Sequence, residues 1–169
     1  MPPPDAWLFP LTLFAALGCG LMGGVFLAFS SVVMQALARL PAPSGMAAMQ
    51  SINLTVIGSL FLMLFMLTAL ACGVLGLSVL LRWQGAFSAY VLAGGVLYLV
   101  GNLGVTLVCN VPLNNALAPL DASSTEAARV WSDYVVSWTR WNHLRAVTGL
   151  AAALSLTLAL CEWHGAHIG

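Results

Sequence analysis

Trp138-Thr139-Arg140-Trp141-Asn142-His143-Leu144-Arg145 runs directly into an uncharged segment, Ala146 to Cys161, that ends at Glu162. That segment holds 16 residues. At about 1.5 Å per residue it reaches roughly 24 Å, whereas the hydrocarbon core of a bilayer is ~30 Å thick and takes ~20 helical residues. A helix that spans here must recruit the preceding turn, which draws Arg145, His143 and Asn142 into the mouth of the membrane. Ionisable groups at that depth are costly and mark functional sites.

The composition agrees. Of 169 residues, 61% are hydrophobic and 6% charged, against about a quarter charged in a soluble domain. This is the composition of an integral membrane protein. The charges also partition the chain: residues 6–38, 40–81, 83–120 and 146–161 carry none. Pro41-Ala42-Pro43-Ser44-Gly45 is turn chemistry, so the second run predicts one helix rather than two. The expected fold is an all-α, polytopic bundle of four transmembrane helices in one domain spanning 1–169, with helices over about 7–37, 47–81, 87–108 and 141–161. The chain has no lysine and a net charge of zero, which excludes a nucleic-acid partner. Met1-Pro2-Pro3-Pro4-Asp5 lacks the positive n-region of a cleaved signal peptide.

Between the third and fourth spans lies the most polar connection. Asn110-Val111-Pro112 predicts the end of the third helix, and Ser123-Ser124-Thr125-Glu126 resembles a capping box. Trp131, Val135 and Trp138 form an apolar stripe at i, i+4 and i+7. Residues 124–139 are therefore expected to be an amphipathic interfacial helix, continuous with the fourth span or kinked into it. Four spans sort the six tryptophans: Trp7, Trp83 and Trp163 at one membrane face (face X), and Trp131, Trp138 and Trp141 at the other (face Y). Gly20, Gly24 and Ala28 make a small-residue ridge for close helix packing. Cys19, Cys72, Cys109 and Cys161 lie singly in the spans and read as small packing residues.

Uncommon polar residues concentrate toward face Y. The first helix supplies Ser30, Ser31 and Gln35, and the second Gln50, Asn53 and Thr55. The third supplies Asn102, Thr106, Asn110, Asn114 and Asn115, and the fourth Asn142, His143 and Arg145. Buried polar groups in lipid must find partners, which predicts one polar cavity open to face Y. Tyr98, Asn102, Thr106 and Asn110 follow at i, i+4 steps and are expected to form one stripe. Haem ligation between helices wants two axial residues, and His143 is the one histidine within a span; Met22, Met34, Met63 and Met66 read as gap fillers. No dinucleotide fingerprint, metal triad or base-paired serine nucleophile is present. The reading assigns no cofactor and no metal site.

Gly24-x-Phe26, Phe29-Ser30, Ala48-Met49-Gln50-Ser51-Ile52-Asn53, Asn110-Val111-Pro112-Leu113-Asn114-Asn115 and Trp138-Thr139-Arg140-Trp141-Asn142-His143-Leu144-Arg145 together resemble a family of small four-helix membrane proteins. That family is grouped with the anthrone oxygenases of aromatic polyketide biosynthesis. The resemblance covers nearly the whole chain. It implies Asn53, Asn110, Pro112, Asn114, Trp141, Asn142, His143 and Arg145 as signature residues, and an oxygenase acting on an electron-rich aromatic substrate.

For that chemistry, imidazole is the side chain that exchanges a proton most readily near neutrality, which suits His143 to the role of base. Arg145, Asn142, Asn53 and Asn114 would stabilise an enolate oxygen as fixed dipoles. Asn102, Asn110, Trp141 and Tyr98 complete the substrate-binding set, with Phe26, Phe29, Trp141 and Tyr98 walling a slot for flat rings. The same cavity also fits a non-catalytic module that binds a quinone, haem or lipid-like ligand or supports a partner complex. Expected partners are the lipid bilayer and a small aromatic or quinone-like ligand, with homo-oligomerisation left open. The expected location is a bacterial cytoplasmic membrane. Arg39, Arg129, Arg140 and Arg145 lie toward face Y and Arg82 toward face X, so the positive-inside rule puts face Y in the cytoplasm.

Overall fold

A computed structural model describes residues 6–168, with the side chains of 125, 126 and 166–168 left undescribed. The opening Met1–Asp5 thus lies outside the described residues, as does the Glu126 half of the capping box. The described chain forms five long helical units: α1 (Leu8–Ala38), α2 (Ala42–Val56), α3 (Leu60–Leu81), α4 (Ala86–Leu117) and α5 (Thr125–Ile168). Segments in α1, α3, α4 and α5 are long and apolar enough to cross a membrane. The chain is an all-α, multi-pass protein whose lipid-facing leucines and valines remain exposed around the bundle.

Helix α5 packs on α1 and α4, and α3 closes the ring between those two. Without water to expel, helices in lipid are held by van der Waals packing, which rewards close approach. A Cβ on Gly94 would come 2.7 Å from Leu156, and one on Gly101 2.5 Å from Thr148. On α1 the close approach is at Gly23, where a Cβ would lie 2.9 Å from the Leu150 backbone nitrogen. The Gly20–Gly24–Ala28 ridge expected from the sequence is displaced. Gly24 and Ala28 are exposed, and a Cβ on Gly24 meets nothing within 4 Å. Met22, Gly23, Phe26 and Ser30 take the inner face instead.

Two further expectations are corrected. The second helix is not continuous over 47–81: it breaks between Val56 and Leu60. Gly58 there adopts φ +79°, open to glycine at little cost, and the Ser59 side chain caps α3 by accepting from the Leu62 N–H at 3.2 Å. Asn53 therefore belongs to α2, which folds over the face Y end. The third helix does not stop at Asn110-Val111-Pro112 but runs to Leu117. Two π-helical stretches, Leu99–Gly104 and Thr106–Asn110, precede the proline. Their widened i→i+5 turns relieve the clash that a proline ring makes with the carbonyl four residues back. The amphipathic segment, expected to be continuous with the fourth span or kinked into it, is continuous: it is the first part of a single 44-residue α5, begun where Ser124 accepts from the Ala127 N–H at 3.1 Å. In the preceding loop, Asp121 accepts from the Ser123 N–H and hydroxyl, which holds its carboxyl below the ordinary range.

The stripe on that segment is buried rather than interfacial. Trp131, Tyr134 and Trp138 stack successively and pack with Met34, Met46, Met49 and Leu117. Of the three tryptophans expected in a face Y belt, Trp131 and Trp138 are in this core, and Trp141 alone is exposed. Gln50 on α2 donates to the Leu117 and Leu120 carbonyls, both at 3.0 Å, and so closes the open end of α4.

Candidate functional site

The π stretch Phe29–Val33 in α1 and the two in α4 lie toward face Y. Both helices there pack against the same turns of α5. A widened turn weakens the self-sufficiency of the helix backbone, so its groups call for outside donors and acceptors. Those come from Asn142 and Arg145, one turn apart on α5.

Asn142 is fully buried and uses both ends of its amide. Its Nδ2 donates to the Phe26 carbonyl and to Ser30 Oγ, each at 2.6 Å, and its Oδ1 accepts from Arg145 Nη2 at 2.6 Å. Arg145 is 5% exposed. It also donates from Nη1 to Thr106 Oγ1 at 3.1 Å and sits 4.2 Å from the centroid of the Phe26 ring and 5.2 Å from that of Trp138. Among the described residues it has no carboxylate partner, and its Nε has no hydrogen bond. Its positive charge is thus held by amide and hydroxyl dipoles and by ring faces alone.

The remaining asparagines form a ladder along the α4–α5 seam. Asn102 meets the Thr148 hydroxyl at 3.2 Å; with its amide turned to satisfy both ends, it also takes the Gly149 N–H and gives to the Arg145 carbonyl. Asn110 Nδ2 donates to the Trp138 carbonyl at 3.2 Å, leaving its Oδ1 unpartnered. Asn114 Oδ1 accepts from both the Tyr134 hydroxyl and the Trp138 indole at 2.9 Å. Asn53 lies near the ladder beside Tyr134. Tyr98 turns away from α5, donating to the Phe65 carbonyl on α3 at 3.2 Å, so the expected four-residue stripe keeps three members on one side.

These side chains hydrogen-bond along a packed seam. A groove of about 430 Å³ lies on the other side of α5, between it and α1. Ser30, Met34, Gln35 and Ala38 line one wall, and Val135, Val136, Thr139, Arg140 and His143 the other. His143 is exposed and faces this groove, roughly 100° around the helix from Asn142. The slot walls expected from the sequence are elsewhere: Phe26 lies against Arg145, Phe29 against Trp138, Tyr98 against Phe65, and Trp141 on the outer surface.

Ser30 joins the two regions. It is buried at the groove, accepts from Asn142, and has no acceptor for its own proton among the described residues. The donors therefore run one way, from the Arg145 cation through Asn142 to a serine O–H available to the groove. Thr139 Oγ1 is a second unpartnered hydroxyl there. The sequence placed Ser30 among the polar residues of face Y but not in the site, because nothing in its spacing distinguishes it from its exposed neighbour Ser31, which back-bonds to Leu27 at 2.6 Å. Tyr134 and Thr106 were likewise missed as partners. Among the described residues no three His, Cys, Asp or Glu side chains cluster as metal ligands would.

A small multi-pass helical protein with a buried arginine–asparagine centre beside a membrane-level groove is the class that fold and site define. The anthrone oxygenase family model matches residues 55–155, and the chain belongs to that family. The match spans α3, α4 and α5 through His143 and Arg145, and starts just after Asn53. Comparison with curated proteins and with solved structures gave no match.

Proposed function

We propose that the protein is a membrane-embedded oxygenase of anthrone-like aromatic substrates, working in the groove between α1 and α5. The observation that carries this reading is the one-way hydrogen-bond chain from Arg145 through Asn142 to Ser30, ending at the groove that His143 lines. Family membership supports it.

An anthrone methylene is acidic because deprotonation yields an aromatic phenolate-type anion. His143 accepts that proton. The developing oxyanion receives the Ser30 and Thr139 hydroxyls and the Arg140 guanidinium, a fixed set of dipoles and charge in a site poor in water. The anion passes one electron to dioxygen, and the resulting radical and superoxide join as a carbon-bound peroxide. The imidazolium returns its proton to the peroxide. Loss of the second methylene proton with cleavage of the O–O bond then yields the quinone carbonyl and water. Met34, Ala38, Val135 and Val136 provide the apolar walls for the flat ring system.

Purified protein in lipid nanodiscs should convert anthrone to anthraquinone under air faster than protein-free nanodiscs do. His143→Ala should lower that rate by about 10²–10⁴-fold, the scale of general-base catalysis. Ser30→Ala should lower it by about 10²-fold, the scale of one oxyanion donor. No acceleration over the blank, or an undiminished rate in His143→Ala, overturns the reading; saturable quinone binding without turnover would instead establish the binding module.

A further inference from the structure

We propose that Cys19 and Cys72 form a two-electron redox site in the bilayer core, a thiol pair that a lipid-soluble hydroperoxide converts to a disulfide between α1 and α3. Both residues are fully buried, and their sulfurs lie 3.9 Å apart although 53 residues separate them in sequence. The helix pair is at close quarters here. One residue before Cys19, a Cβ on Gly18 would fall 2.3 Å from the Thr68 hydroxyl, one turn before Cys72. The two helices run antiparallel in a register that also pairs Phe26 with Phe65, at ring centroids 6.2 Å apart.

Charge favours this use over metal binding. A thiolate–metal complex would add charge to a region that solvates it poorly, whereas dithiol and disulfide are both neutral. A recess of about 250 Å³ between α3 and α4, lined by Cys72, Gly73, Gly76 and Gly95 and rimmed by the exposed Leu77, Leu80 and Val96, lies beside the pair and is where we place the peroxide's approach. As one thiol attacks the hydroperoxide, the O–O bond breaks and the thiol proton passes to the departing alkoxide oxygen, giving a sulfenic acid and an alcohol. The second thiol displaces water from the sulfenic acid and forms the S–S bond. The two thiols lose two electrons and two protons, and the peroxide oxygen leaves as water.

Cys109 is half-buried and Cys161 exposed, so they are removed for the test. The Cys109→Ala/Cys161→Ala protein in nanodiscs is treated with cumene hydroperoxide, denatured, alkylated and digested. The expected result is loss of both remaining thiols and recovery of a Cys19–Cys72 cross-linked peptide, abolished by a further Cys72→Ala. If the double variant does not fold, wild-type protein with Cys109 and Cys161 blocked by maleimide replaces it. Survival of both thiols, or their consumption to sulfinic and sulfonic acids without a cross-link, overturns the proposal. Anthrone turnover plays no part in this readout.

Discussion

The two ends of the bundle solve the same problem in different ways. Toward face X the helices are regular and meet through small residues and rings: Gly94 under Leu156, Cys19 on Cys72, Phe87 against Trp163. Toward face Y three π-helical stretches interrupt α1 and α4, and Asn142, Arg145, Asn102 and Asn110 lie against them. A regular helix satisfies its own backbone in lipid, so packing, helped by the Ser155 hydroxyl donating to the Tyr90 carbonyl at 2.8 Å, holds the face X half. A widened turn does not, and side-chain amides must stand in. Irregular backbone and the buried amides and guanidinium therefore come as a set, and they come at the end that carries the groove.

The comparison breaks most visibly at Asn142. Asn142→Ala strips a partner from the Arg145 guanidinium, the Phe26 carbonyl and Ser30 at once. It should cost about 3 kcal/mol, the scale of breaking a buried charged pair, measured by unfolding in mixed micelles. A loss no greater than that of a face X packing variant would remove the distinction between the halves. Gly94→Ala is that variant: its Cβ would sit 2.7 Å from Leu156 Cγ and 3.1 Å from the Ala152 carbonyl. Overpacking of this kind should cost about 1–3 kcal/mol. The smallest effect is expected at Gly24→Ala, within about 0.5 kcal/mol, since nothing lies within 4 Å of the added methyl. A loss at Gly24 equal to that at Gly94 would mean that the outer face of α1 is packed after all.

The gross architecture was legible because charge is so sparse: each uncharged run of sufficient length contains a helix that can span a membrane. The polarity of face Y was legible for the same reason. What failed were features that depend on backbone register. Gly58-Ser59 reads as unremarkable inside an apolar run, yet one positive φ and one serine cap split the helix there. Pro112 reads as a stop, but π turns absorb it. The inner face of α1 was misjudged by one position, which is enough to send Gly24 outward and Gly23 inward. The asparagines were recognised as a group, while their division between a packed seam and the groove on the far side of α5 depends on helix rotation. Ser30, which links the two, carries no pattern of its own.

Helix α5 follows α1 to α4 in order of synthesis, and it touches α1, α2 and α4. The Phe26 carbonyl, Ser30, Thr106 and Asn110 all receive or supply their bonds from it. Until that helix enters the membrane, the first three spans expose these groups with no partner from α5. A nascent bundle that still lacks α5 would therefore display polar surface to lipid, a cost that the entry of this one helix removes.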